Sequence, residues 1–243
     1  MIVLFTDFGL SGPYTGQMKA ALAQQAPGLP VIDLFADVPA FDPQLSAYLL
    51  AAYAPAFPAG SVFVAVVDPG VGTDRRPLVV EADGRRFVGP DNGLFEIVRR
   101  RAVRSTASAI GWRPERLSAS FHGRDLFAPV AAMLATGRPV DLEPLETGAD
   151  ARPDWPDDLP RIVYIDVYGN AMTGLRAATL PADAVLRIGA RAVRRGRTFA
   201  DVPAGEALWY ENSNGLAEIA VNRGRADRAL GVAVGAAVTV TGR

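Results

Sequence analysis

The sequence predicts a two-part chain: a layered α/β domain over residues 1–150 with a central, mostly parallel sheet, a linker over 151–160, and a small antiparallel β-barrel domain over 161–243. Three observations predict it. Short apolar runs alternate with amphipathic stretches through the first half, the rhythm of a layered α/β sheet. Between Gly137 and Pro160 the composition shifts to Pro, Asp and Glu, and Pro153, Pro156 and Pro160 mark a linker. Beyond it the apolar segments are short, strand-like and punctuated by glycines, the pattern of a barrel or sandwich.

In chain order, IVLFT (2–6) reads as the first strand and the stretch from Pro13 to Gln25 as a helix, with proline suited to its first position and Met18, Ala21, Leu22 and Gln25 on one face. PVIDLF (30–35) is the second strand and 43–54 the second helix. SVFVAVV (61–67) is an unbroken apolar run, as a strand buried on both faces requires, and it ends at Asp68-Pro69-Gly70. LVVEADGRRFVG (78–89) reads as a hairpin turning at Asp83-Gly84. Helices follow over 92–101 and 125–136. In the second part, RIVYIDV (161–167), AVLRIGA (184–190), EALWYEN (206–212), LAEIAVN (216–222) and AAVTVTG (236–242) read as strands.

Composition narrows the chemistry. With 49% apolar and 21% charged residues the chain is globular, and a net charge of -1 with scattered arginines gives no concentrated basic surface for nucleic acid. The single lysine, Lys19, follows Gly16, Gln17 and Met18 rather than a phosphate-binding glycine loop. Zero cysteines remove thiol nucleophiles and disulfides, and a lone histidine, His122, cannot build the multi-histidine zinc sites of hydrolases. An all-oxygen magnesium site stays open. No apolar run reaches a membrane span and the start MIVLFTDFG lacks a signal peptide's basic opening, so a cytoplasmic protein is expected.

Ligands of open α/β sheets collect beyond the carboxyl ends of strands, and polar clusters fall there. In TDFG (6–9), Asp7 is placed either to accept two hydrogen bonds from a cis-diol or to cap the next element. DPGVGTDRR (68–76) puts a carboxylate at a strand end, glycines that admit a ligand, and Arg75 seven residues on. PDNG (90–93) is explained by turn formation alone. FHGRDLFAP (121–129) looks like a strand end entering a helix, with His122 at that edge. DVYGN (166–170) and NSNGLAEIAVN (212–222) are polar loops able to form turns or to contact a base or an amino acid, with Tyr168 available for stacking.

Taken together, TDFG, VVDPGVGTDRR, GPDNGLF (89–95), FHGRDLFAP, IDVYGN (165–170) and NSNGLAEIAVN resemble the S-adenosyl-L-methionine (SAM) hydroxide adenosyltransferases, or SAM hydrolases, relatives of the SAM-dependent fluorinase and chlorinase; the motifs run in family order from residue 6 to 222. The resemblance implies metal-independent, cofactor-free hydrolysis of SAM to adenosine and L-methionine by a homotrimer, with each site between neighbouring subunits. It implies a catalytic trio of Asp68, Arg75 and His122, and substrate binding by Asp7, Phe8, Asp166, Tyr168, Asn170, Ser213, Glu218 and Val221, the last through its backbone. Asn214 stands where the halogenases carry arginine, and LSGPYTG (10–16) is less charged than the family's usual stretch. A halogenase, a non-catalytic SAM or adenosine sensor, and a magnesium phosphohydrolase built on Asp7, Asp68 and Asp91 are the alternatives.

Overall fold

In the computed structural model, residues 1–145 and 152–242 are described, and the chain divides into two compact units, Met1–Arg152 and Pro153–Arg243. The expected boundary near 150 and the first residue of the expected linker lie outside the described residues.

The first unit runs β1 (Ile2–Thr6), α1 (Tyr14–Gln25), β2 (Val31–Phe35), α2 (Pro43–Tyr53), β3 (Val62–Val66), β4 (Pro77–Ala82), β5 (Arg85–Pro90), α3 (Glu96–Arg101), β6 (Ser105–Ile110), α4 (Ala128–Ala135) and β7 (Leu142–Pro144). Its sheet has the order β2-β1-β3-β5-β4-β6-β7. The pairs β2/β1, β1/β3 and β3/β5 are parallel, and the hairpin β4/β5 then reverses the direction. β1 and β3 are buried along their whole length because both sheet faces are covered. Ile2, Leu4, Val62 and Val64 pack with Met18 and Leu22 of α1 and Val130 of α4. Phe5 points the other way, meeting Phe35 at 5.6 Å, and Phe35 meets Tyr53 of α2 at 5.0 Å.

Local chemistry explains the joints. Asp83 (φ 46) and Gly84 (φ 76) both take the left-handed conformation that a two-residue hairpin turn demands. Asp42 caps α2 by accepting the Leu45 N–H, with Pro43 next in line. Three expectations shift. Pro13 caps α1 instead of opening it. The helix expected over 92–101 starts at Glu96, because Asn92 accepts from the Leu94 N–H and donates to the Val67 carbonyl, folding 91–95 into a turn. The helix expected over 125–136 is a π turn, Gly123–Phe127, running into α4.

The second unit contains β8 (Leu159–Ile165), β9 (Ala171–Arg176), β10 (Val185–Ile188), β11 (Arg191–Arg194), β12 (Ala207–Glu211), β13 (Leu216–Val221), a short helix α5 (Ala226–Leu230) and β14 (Thr239–Thr241). The expectation of a barrel is corrected here. Among the described residues the strands form two antiparallel sheets, β11-β10-β14 and β12-β13-β9-β8. Their edges meet at isolated bridges, Arg195 with Trp209 and Arg161 with Ala237, and at a few backbone hydrogen bonds such as Ile162 N–H to the Ala236 carbonyl, but no ladder joins them into one closed sheet. Trp209, fully buried, fills the space between the sheets and donates its indole N–H to the Ala184 carbonyl at 2.9 Å.

Candidate active site

Within the first unit a cleft of about 340 Å³ opens beyond the carboxyl ends of β1 and β3. Adjacent parallel strands deliver two carboxylates to it, Asp7 just after Thr6 and Asp68 two residues after Val66. Both line the cleft together with Phe8 and His122.

Asp68, Arg75 and His122 form one connected chain. Arg75 donates from Nε to Asp68 Oδ1 at 2.9 Å and from Nη2 to Asp68 Oδ2, a two-pronged pair that geometry favours. The pair is well buried, the Asp68 and Arg75 side chains being 5% and 10% exposed. The same Nη2 lies 2.9 Å from His122 Nδ1. Arginine can only donate, so Nδ1 must accept, and the neutral ring carries its proton on Nε2. Burial first, then the Arg75 cation, hold the His122 pKa below the ordinary 6.5, with Asp68 and Asp125 pulling weakly the other way. Arg75 does not line the cleft; it stands behind the two side chains that do.

The loop 68–76 folds to make this possible. Gly72 has φ +80, and a Cβ there would sit 2.6 Å from the Ala119 carbonyl oxygen, so the glycine is required for close approach of the two loops. His122 does not follow a strand, as its flanking residues suggested: β6 ends at Ile110, and His122 is the residue that opens the π turn.

Asp7 does not cap α1, which has no side-chain cap. Its Oδ2 accepts the Phe41 N–H at 3.1 Å, and burial, helped by Asp68, raises its pKa against that hydrogen bond. Ionising Asp7 therefore costs stability as pH rises through its raised pKa, and that cost is fully present at neutral pH. Asp7→Asn, which keeps an acceptor for Phe41, is expected to raise Tm by a few degrees at pH 7, with the advantage shrinking toward pH 4. Thermal unfolding of both forms at the two pH values checks this.

Of the apolar wall of the cleft, sequence reasoning named Phe8 and missed Tyr14, Phe41 and Phe121. Phe8, Tyr14 and Phe121 form a three-ring cluster with centroid separations of 5.5–6.0 Å. Phe41 lines the cleft with φ 62 and 77% of its surface exposed. An exposed aromatic in a left-handed conformation is an uncommon combination. Nothing in its neighbours Ala40 and Asp42 signals it. The PDNG residues stay structural: Asp91 accepts from Arg76 at 2.9 Å and Asn92 holds its turn. Among the described residues no group of three or more His, Cys, Asp or Glu side chains is placed to hold a metal, so Asp7, Asp68 and Asp91 are not gathered into one such group.

In the second unit the expected residues form two clusters. Asp166 Oδ1 accepts the backbone N–H groups of Tyr168 and Asn170 at 2.9 Å each, and Oδ2 accepts the Asn170 amide at 3.0 Å. This turn leaves Val167 and Tyr168 exposed at its tip. Glu218 is buried and accepts from the Tyr210 hydroxyl and, at 2.9 Å, from the Asn212 amide. Burial raises its pKa. Asn212 also accepts from the Asn214 and Leu216 N–H groups at 3.0 Å, ordering the loop that carries Ser213. Val221 is buried, and its carbonyl accepts the Gly224 N–H at 3.0 Å.

Comparison with known proteins gives a consistent result. The N-terminal domain of SAM hydroxide adenosyltransferase matches residues 2–143, and the C-terminal domain of the same family matches residues 160–239. A curated relative from Thermus thermophilus, named (R)-S-adenosyl-L-methionine hydrolase, is 42% identical and aligns over 96% of both chains. One of the same name from Salinispora arenicola is 40% identical over 97% of this chain and 95% of its own. Among solved structures, a conserved protein from Thermotoga maritima matches with TM-score 0.88 at 29% identity over 100% of both chains. A conserved protein from Thermus thermophilus matches with TM-score 0.78 at 38% identity over 99% of both.

Proposed function

The chain belongs to the SAM hydroxide adenosyltransferase family, and from that premise we propose that it hydrolyses SAM by attack of water on the ribose C5′, releasing adenosine and L-methionine. The observation that carries the proposal is the Asp68–Arg75–His122 chain, with its carboxylate and imidazole both lining a cleft.

The chemistry needs little beyond a held nucleophile. The water oxygen forms a bond to C5′ as the C5′–S bond breaks, its electron pair staying on sulfur. A sulfonium becomes a neutral thioether, so the leaving group requires neither a proton nor a Lewis acid. Positioning one water in line supplies several kcal/mol of order-of-magnitude barrier lowering, and a placed proton acceptor adds roughly 10² to 10⁴ in rate.

The tautomer divides the roles. With Nδ1 occupied by Arg75, His122 donates from Nε2 toward the water oxygen and steadies the negative charge that grows there. Asp68 is then the group that accepts the departing proton and passes it to solvent. Arg75 works through both, holding the carboxylate and the ring at once. Asp7 and Phe8 are assigned to the ribose side. Asp166 and Asn170 are assigned to the methionine and ribose end, Tyr168 to the base or ribose face, and Ser213, Glu218 and Val221 to further ligand contacts, with least expected of Val221, whose carbonyl is already engaged.

Two carboxylates in the cleft suit a cationic substrate and water, and they repel a halide, which disfavours a halogenase. The names of the relatives point to the (R) sulfur epimer as the substrate. Cytoplasmic action as a homotrimer, with neighbouring copies completing each site, is part of the same proposal; the exposed Leu10 and Phe41 of the first unit and Val167 and Tyr168 of the second support burial against another copy. Among the described residues no helix is long and apolar enough to cross a membrane.

The test is chromatography of purified protein incubated with the resolved (R) and (S) epimers in chelator, with and without chloride. Equal release of adenosine and methionine, independent of chloride and faster for (R), is the expected result. A 5′-chloro product, or tight SAM binding with no product, overturns it. Turnover should also fall on the acid side with a midpoint below 6.5, because a second ring proton must enter at Nδ1, facing Arg75.

A further inference from the structure

Arg75 is held on three sides, and the third has no counterpart in the trio. Its guanidinium carbon lies 5.3 Å from the centroid of the Phe127 ring, which is fully buried. Asp68 and His122 meet the edge of the guanidinium, while Phe127 offers it a ring face.

Phe127 is five residues after His122, and the backbone makes that spacing useful. In an α-helix, at about 100° per residue, positions five apart lie about 140° round the axis and face different neighbours. Here Gly123–Phe127 is a π turn, closed by the Ala128 N–H donating to the Gly123 carbonyl five residues back. The wider turn lets His122 and Phe127 both reach Arg75. The turn is itself anchored: Asp125 accepts the Ser118 N–H at 2.9 Å, and Arg124, paired with Asp125, donates to Gln17 of α1 at 2.8 Å.

We propose that Phe127 is a positioning residue: its ring face fixes Arg75 so that the guanidinium donates to His122 Nδ1 and keeps the histidine in its Nε2–H tautomer, with the π turn as the device that brings both side chains to the arginine. The proposal rests on the hydrolase reading for its effect on rate, but its structural claim is separable. Asp68 alone leaves the guanidinium free to tilt about the carboxylate, and a small tilt moves Nη2 away from the ring. An apolar side chain of similar volume fills the space without supplying the face.

Because His122 is the only histidine, ¹⁵N labelling of histidine reports its ring directly in the full chain. At pH 7.5 the wild-type ring is expected to carry its proton on Nε2 alone. Phe127→Met should give a mixture of tautomers and lower kcat about tenfold or more, with KM within about twofold. Phe127→Tyr, which keeps a ring face, should retain the wild-type tautomer and most of kcat. If the methionine variant does not fold, Phe127→Leu against Phe127→Trp makes the same comparison. A folded methionine or leucine variant with the wild-type tautomer overturns the proposal, as does a wild-type ring protonated on Nδ1. Wild-type protein inactive on SAM refutes the hydrolase reading instead, and the tautomer comparison still decides the role of Phe127.

Discussion

Replacing Asp68 by asparagine is expected to lower turnover on SAM by about 10² to 10⁴ while changing KM by no more than a few-fold. The amide matches the carboxylate in shape but cannot take a proton from water at neutral pH. It also offers Arg75 one acceptor where the carboxylate offers two. The arginine then loses part of its hold, and His122 loses the donor that sets its tautomer. Removing one member of a buried ion pair carries a folding cost as well, on the order of 3–5 kcal/mol where no replacement contact forms. For that reason asparagine is a better probe than alanine, and Tm and kcat belong in the same experiment. A folded Asp68→Asn enzyme with near-wild-type turnover would remove Asp68 from the chemistry. Loss of SAM binding with unchanged single-turnover rate would move it to the binding surface.

The fold is legible where one face rule governs a whole segment. SVFVAVV reads as a central strand because only a strand covered on both sides tolerates six apolar residues in a row, Val62 to Val67, and β3 is that strand. Asp83-Gly84 reads as a tight turn because both positions need positive φ, which they have. Four strands carry no such mark. β6 (STASAI) is built from small residues with no apolar period, and β9 (AMTGLR) carries Gly174 at a point where a Cβ would lie 2.7 Å from the Leu159 Cβ. β6 holds its place through β4, more than twenty residues earlier, and β9 through β13 as well as its hairpin partner β8. β7 and β11, of three and four residues, are too short for any period to show.

The site divides in the same way. Asp7, Asp68 and Arg75 are visible as polar residues at strand ends, where an α/β sheet exposes its variable loops. Joining them to His122 requires the full set of motifs, because the separation of 47 residues from Arg75 to His122 takes in three strands and a helix. The π turn leaves no mark that separates it from an α-helix start, so the role of Phe127 is invisible until the backbone is in hand. Phe41 is hidden for a related reason: its place in the cleft comes from a positive φ and a backbone hydrogen bond to Asp7, neither of which depends on its being phenylalanine.

A single added methyl at Gly89 is expected to destabilise the first unit by about 3 kcal/mol or more, lowering Tm by roughly 6–12 °C. Gly89 lies on β5, between β3 and β4, and a Cβ there would come 2.1 Å from the Ala65 carbonyl oxygen and 2.9 Å from the Phe95 ring. Neither neighbour can yield easily, since Ala65 belongs to a fully buried strand and Phe95 is 3% exposed. Three residues beyond Ala65 stands Asp68, so any shift of β3 that relieves the clash also moves the carboxylate. Activity should therefore fall in the folded fraction, by about 10²-fold for a displacement near 1 Å. Gly16→Ala supplies the contrast: the same methyl on α1 meets nothing within 4 Å, and helix propensity alone should make it neutral or stabilising by up to about 1 kcal/mol. Thermal unfolding of the two variants separates the effect of place from that of chemistry. A Gly89→Ala protein melting within a degree of wild type would mean that β3 and β5 can part without cost, and with that the rigid delivery of Asp68 to the cleft would have to be given up.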